Sequence, residues 1–239
     1  MMFESEFIKG LFQNAIFFLD EAISYINRGV SDRRNMILAI INMQISMELA
    51  LKSSLATNFG LRTILVEKQA NLSEKELQRL YEENNLKIKE YDSLKNFLKT
   101  PQGNIEAYNF EKPQYKYMER FQKYRNRILH SSYVFSNDEI QQMESDLIYV
   151  LIHILGVILS DRTDEEYRTF VQEYLNSREY SKLLKNSVYN KELQIFLQEE
   201  YDKLYMCPIC GANTLTPYKF CVRCLANFDI PSADRKSVV

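Results

Sequence analysis

An all-α bundle carrying a small cysteine-rich module at its C-terminal end is the fold class this sequence predicts. Three observations carry that expectation. Glycine (6) and proline (5) are scarce in a chain of 239 residues of which 46% are hydrophobic, a composition that favours long helices over a turn-rich β architecture. The apolar residues recur every three or four positions rather than alternating. All four cysteines lie between Cys207 and Cys224.

Taken in order, Phe7, Leu11, Ala15, Phe18, Ala22 and Ile26 define a first helix over about 3–28, ended by Gly29. Ser31 or Asp32 caps a second helix that runs to about Thr57 and is closed by Asn58 and Gly60. Its Met36, Ile40, Met43, Met47, Leu51 and Leu55 make it apolar on several sides and therefore central. Glu48 stands among Ile41, Gln44, Ile45 and Leu55, and two readings fit it: a surface partner of Lys52 four residues on, or a buried carboxylate that orients other polar groups. From 61 to about 112 the chain turns highly charged and reads as an inserted helical segment. Ser73 and Glu76 form a capping box there, and a second helix is expected over 87–99 before Pro101 and Gly103.

Pro113 opens the next helix, whose buried stripe is expected to be Tyr117, Phe121, Tyr124 and Ile128. Lys112, Lys116, Arg120, Lys123, Arg125 and Arg127 face only Glu119 in that stretch after Glu111. The formal net charge of −2 gives no global attraction to nucleic acid, so any such binding rests on a local patch like this one. Basic residues interleaved with Tyr115, Tyr117 and Tyr124 can follow a phosphate backbone and stack on bases, or can form a solvated helix face. Asn137 is expected to cap a helix over about 138–160 that holds the structural His153. Thr163 with Glu166 caps another over about 164–176, and a last helix spans about 190–203. The apolar run from Leu147 to Leu159 is too short to cross a bilayer, and Glu4 and Glu6 stand where a secretory leader would be basic, so a cytoplasmic location is expected.

The cysteines form two CxxC knuckles, Cys207-Pro208-Ile209-Cys210 and Cys221-Val222-Arg223-Cys224, separated by ten residues. That spacing is close to that of a four-cysteine zinc ribbon, in which Cys207, Cys210, Cys221 and Cys224 bind one structural Zn2+. Four thiolates complete a tetrahedron and leave no open position for chemistry. Three roles remain open for the ribbon: binding nucleic acid, binding a partner protein, or packing on the bundle. The domain organisation expected is therefore a helical domain over 1–203, the ribbon over 204–230 and a flexible tail over 231–239.

The stretch Tyr124-Arg125-Asn126-Arg127-Ile128-Leu129-His130 holds one of only two histidines in the chain. A histidine, with a usual pKa of about 6.5, can serve as acid or base near neutral pH. A guanidinium fork can hold two phosphate oxygens. One His130 cannot perform both proton transfers of RNA cleavage, so a two-fold dimer bringing two copies to one cleft is the natural solution. On an ideal helix, positions 125 and 130 lie about 140° apart. Bringing the two side chains together within one chain requires Arg125 to wrap round or the helix to loosen near His130, where Ser131 and Ser132 follow.

Arg125, Asn126 and His130 resemble the RxxxxH motif of the HEPN family of helical ribonucleases, over roughly residues 1–160. The resemblance implies a dimeric, metal-independent endoribonuclease of the toxin or phage-defence kind, with a possible antitoxin or defence-system partner protein. By it Arg125 holds the scissile phosphate, Asn126 helps position it, His130 transfers protons to leave a 2′,3′-cyclic phosphate, and Glu48 orients the site. Lys116, Arg120, Lys123, Arg127 and Tyr133 are the expected RNA contacts. Tyr133 makes an HxxY rather than the HxY of toxins paired with a nucleotidyltransferase antitoxin, which speaks against a modified tyrosine here. The alternative is a catalytically inert HEPN dimer that binds nucleotide or nucleic acid and recruits a partner through the ribbon.

Overall fold

The computed structural model describes residues 2–103, 110–130, 135–160, 177–224, 226 and 228. Helix α1 (Met2–Asn27) and helix α2 (Arg33–Phe59) form an antiparallel hairpin. The Ser46 hydroxyl donates to the Ala15 carbonyl (2.8 Å) and the Ser53 hydroxyl to that of Ile8 (3.3 Å), which fixes the register. Asp32 is the cap of α2, accepting the Arg34 N–H at 2.8 Å. Gly29 (φ +99°) and Gly60 (φ +85°) supply the left-handed conformations that end the two helices, as their positions in the sequence lead one to expect. From Asn35 to Ala56 no residue of α2 is exposed, so α2 is the central element. Each fully buried Leu or Met along it contributes about 1.5–3 kcal/mol.

The charged segment after α2 is more integrated than an appended insertion. A single turn of 3-10 helix (Leu61–Thr63), α3 (Glu67–Ala70), α4 (Glu74–Glu82) and α5 (Tyr91–Leu98) follow one another. The Ser73/Glu76 capping box is present. Residues 87–89, expected as helix, instead pair with 64–66: Val66 N–H donates to Lys87 (3.0 Å) and Lys89 N–H to Ile64 (2.8 Å). That pairing delays the helix to Tyr91. Leu61, Ile64, Leu65, Leu77, Tyr91, Leu94 and Leu98 are all buried in the common core.

Helix α6 (Lys112–His130) carries the motif and buries Met118, Phe121 and Tyr124. Tyr117 and Ile128, expected in the buried stripe, are only half-buried. Helix α7 (Asn137–Tyr149) is capped by Ser136 rather than Asn137, because Ser136 and Glu139 form a reciprocal capping box. Ser136→Ala is therefore expected to cost about 1 kcal/mol in urea unfolding, while Asn137→Ala leaves the midpoint unchanged. Helix α7 then widens into a π-helical stretch (Val150–Leu155) and continues as α8 (Gly156–Ser160). Every residue from Val150 to Ile158 is buried.

The rod Asn137–Leu159 and α2 are each long and apolar enough to cross a membrane, with 72% and 56% of their apolar windows buried within the fold. Burial of that extent is what core helices of a bundle require. Helix α9 (Ser177–Leu183), which the sequence pattern did not suggest, leads to α10 (Ser187–Glu200). Helix α10 starts before the expected position because the Asn186 side chain accepts the Tyr189 N–H at 3.0 Å. The Thr163–Glu166 capping box and the helix expected over 164–176 lie outside the described residues, as does the 231–239 tail.

Candidate functional site

Arg125, Asn126 and His130 occupy the last turns of α6, which stays helical through His130. The Arg125 Nη1 donates to the side-chain amide oxygen (Oδ1) of Asn126 at 3.1 Å. Arg125 is half-buried, while Asn126, Leu129 and His130 are exposed. Because the helix does not loosen, the separation of about 140° between positions 125 and 130 stands. Arg125 lies seven residues after the buried Met118, on the core-facing side of α6. His130 falls in line with the exposed Lys116 and Lys123 at seven-residue steps, each about 10 Å along the axis. The described residues thus do not bring Arg125 and His130 of one chain onto one face.

Glu48 is half-buried and pairs with Lys52 at 2.5 Å, the simpler of its two readings. Among the basic residues of α6, two are tied down. Arg120 donates from Nη1 to both oxygens of Asp146 (2.8 and 2.9 Å), and Asp146 has no exposed surface. The Asp146 hydrogen bond holds the Arg120 guanidinium even more firmly protonated than usual. Arg127 pairs with Glu139 at 3.1 Å and lies over the Phe135 ring. Lys116, Lys123 and Arg125 form no salt bridge among the described residues. The tyrosines that could have stacked on bases are engaged inward. Tyr115 donates to the Leu98 carbonyl at 3.0 Å, and Tyr117 stacks on Tyr149 with ring centroids 3.7 Å apart. Tyr124 donates to Asp146 at 2.7 Å. Burial, and after it that hydrogen bond, pushes the Tyr124 hydroxyl far above the usual tyrosine range, so it remains a donor. Tyr133 lies outside the described residues.

His153 is buried in the π-helical stretch, stacked on Tyr149 (4.1 Å), edge-on to Phe196 (5.1 Å) and 2.9 Å from the Glu192 carboxylate. This satisfied environment is that of a packed histidine. Two surface grooves, of about 570 Å³ beside Lys9 and Thr57 and about 400 Å³ beside Glu6 and Lys75, have no α6 residue in their walls.

The four cysteines converge. Their sulfur atoms all lie within 4.8 Å of one another, with Cys207 and Cys224 at 3.6 Å and Cys210 and Cys221 at 3.7 Å. A tetrahedral tetrathiolate with metal–sulfur bonds of about 2.3 Å has edges of about 3.8 Å, so the donor set fits a metal ion. Tyr205 and Leu215 exchange backbone hydrogen bonds (2.8 and 3.0 Å), and Val222 N–H donates to Thr214 (3.1 Å). These bonds hold the two knuckles together. Gly211 adopts φ +67°, which lets the first knuckle close with its N–H on the Cys207 carbonyl.

Ordering of the thiols follows from local geometry. Burial raises the Cys207 thiol, but the backbone N–H groups of Cys210 and Ile209 together with the Cys221 and Cys224 thiols bring it down to about 7. Burial pushes the Cys221 and Cys224 thiols up. Metal binding must therefore displace protons from the raised thiols. We expect net proton release on metal addition in weak buffer, and an apparent affinity that keeps rising as the pH is raised above about 7. The ribbon also touches the bundle. Gln194 donates to the Asn213 carbonyl (3.1 Å), Arg223 to that of Leu184 (3.2 Å), and Phe220 and Val222 join the core.

Comparison with known proteins finds no matching family model, no matching curated protein and no matching solved structure.

Proposed function

We propose that this protein is a metal-independent endoribonuclease of the HEPN type, of the toxin or phage-defence kind, that works as a homodimer, with a zinc ion held structurally by Cys207, Cys210, Cys221 and Cys224. The observation that carries the reading is the end of α6. An exposed His130 stands in line with Lys116 and Lys123, which have no salt-bridge partner among the described residues, one turn beyond Arg125 and Asn126. Since α6 points Arg125 and His130 in different directions, a composite site formed by two copies is the arrangement in which both can meet one phosphate.

In this reading the 2′-hydroxyl of RNA loses its proton to one His130. Its oxygen attacks the adjacent phosphorus as the P–O5′ bond breaks, and the other His130 protonates the departing 5′-oxygen. Arg125 stabilises the extra negative charge on the phosphoryl oxygens. Lys116 and Lys123 guide the strand. Arg120 is reassigned from RNA contact to holding α6 against α7, because its guanidinium is paired with the buried Asp146, and Arg127 is occupied by Glu139. Incubating the zinc-loaded protein with RNA in magnesium-free buffer tests the proposal. Cleavage to 2′,3′-cyclic phosphate ends by wild type and none by His130→Ala supports it.

One observation favours the second reading, an inert dimer that binds nucleic acid. No described residue makes a hydrogen bond to the His130 ring, whereas a general base is ordinarily oriented by a partner. RNA binding that survives His130→Ala, with no cleavage by wild type, would select that reading.

A further inference from the structure

We infer that Asp146, which is not part of the motif, is the positioning residue for the Arg125–His130 segment. The inference rests on the reading of that segment as the functional site. Asp146 has no exposed surface, and its carboxylate accepts four hydrogen bonds. Two come from Arg120, one from the Tyr124 hydroxyl (2.7 Å) and one from the Gln142 amide (2.8 Å). Arg120 and Tyr124 lie one turn apart on α6, and Tyr124 directly precedes Arg125.

After Tyr124 no residue of α6 is buried. The Asp146 cluster is therefore the last enclosed contact before the motif. The apolar contacts of Met118 and Phe121 are non-directional and tolerate small rotations of a helix. Charge-assisted hydrogen bonds do not, since they depend on both distance and angle. The one ion pair that α6 forms beyond Tyr124 among the described residues, Arg127 with Glu139, has both side chains about one-third exposed, and exposed pairs hold little. The cluster is braced from behind: the Arg120 guanidinium lies 4.9 Å over the Tyr117 ring, and Tyr117 stacks on Tyr149. Asp146 thus sets the rotation and axial position from which Arg125, Asn126 and His130 project.

The test replaces the pair by apolar residues of similar volume, Arg120→Met with Asp146→Leu, since such replacements commonly preserve stability. Tyr124→Phe is the milder second variant, removing one hydrogen bond and little volume. Amide exchange over 125–130 and the kinetics of RNA cleavage are read in both. The expected result is exchange over 125–130 faster by about tenfold with α1 and α2 unchanged, and kcat lower by about ten- to a hundredfold at nearly constant KM. Unchanged exchange over 125–130 in a folded variant overturns the inference. So does exchange raised equally in every core helix, which is what a merely structural role produces. If the double variant does not fold, Tyr124→Phe decides. If wild-type protein cleaves no RNA, it is the ribonuclease reading that fails, and the exchange measurement still decides the role of Asp146.

Discussion

RNA cleavage is expected to fall by at least about a hundredfold in His130→Ala, the usual contribution of a positioned general acid or base, with the urea midpoint unchanged. Stability should not move because the His130 side chain is exposed at the end of α6 and makes no hydrogen bond among the described residues. Arg125→Ala should lose a similar factor, while Arg125→Lys should recover only part of it, because an ammonium cannot grip two phosphate oxygens at once. Mixing wild type with His130→Ala gives the sharper result. If both copies supply a histidine to one cleft, an equal mixture of exchanging subunits retains about one quarter of the wild-type rate, the statistical share of dimers with two intact chains. Retention of half would mean that each chain carries a complete site, and the composite arrangement would be abandoned.

The second large effect concerns the metal. We expect purified protein to contain one zinc per chain, and its removal by a chelator to melt residues 201–224. So small a module buries only a handful of side chains, among them Phe220 and Val222. The free energy of binding zinc to four thiolates, about 10–16 kcal/mol in isolated modules, is then the energy of folding it. Cys221→Ser should have the same effect, since Cys221 is buried and lies against Cys210 and the Thr214 hydroxyl. Loss of the ribbon also removes the contacts of Gln194 and Arg223 with the other module. A drop of several degrees in the melting temperature of the helical part is expected from that. Metal-free protein with an unaltered backbone NMR spectrum over 201–224 would show that the ribbon folds without the ion.

Much of this architecture was legible from periodicity and punctuation. The spacing of Phe7 to Ile26 and of Met36 to Leu55, with Gly29 and Gly60 after them, yields α1 and α2 to within about two residues at either end. The cysteine spacing anticipates the convergence of Cys207, Cys210, Cys221 and Cys224. Failures have particular causes. Ser136 and Asn137 are both good caps, and only the reciprocal bond with Glu139 decides between them. The stretch 87–89 has helical composition but is claimed by backbone pairing with 64–66, a contact between distant residues. The π-helical turn at Val150–Leu155 leaves no local pattern, because apolar residues fill nearly every position. In the candidate site, a count of basic residues could not separate Lys116 and Lys123 from Arg120 and Arg127. The carboxylates that bind the latter two, Asp146 and Glu139, arrive from the next helix. Asp146 itself, a polar residue in the register of Met143 and Val150 on the core side of its helix, was the available signal.

The central position of α2 has a consequence for the growing chain. From Asn35 to Ala56 the helix offers no exposed residue in the finished protein, yet α1 can cover only one of its sides. The others await α6, α7 and the π-helical stretch, the last of which ends at Leu155, about 100 residues after α2 has been made. At roughly 5–20 residues per second, the ribosome leaves this central helix partly unsheltered for about 5–20 seconds. During that interval the nascent chain is a substrate for whatever binds exposed aliphatic helices.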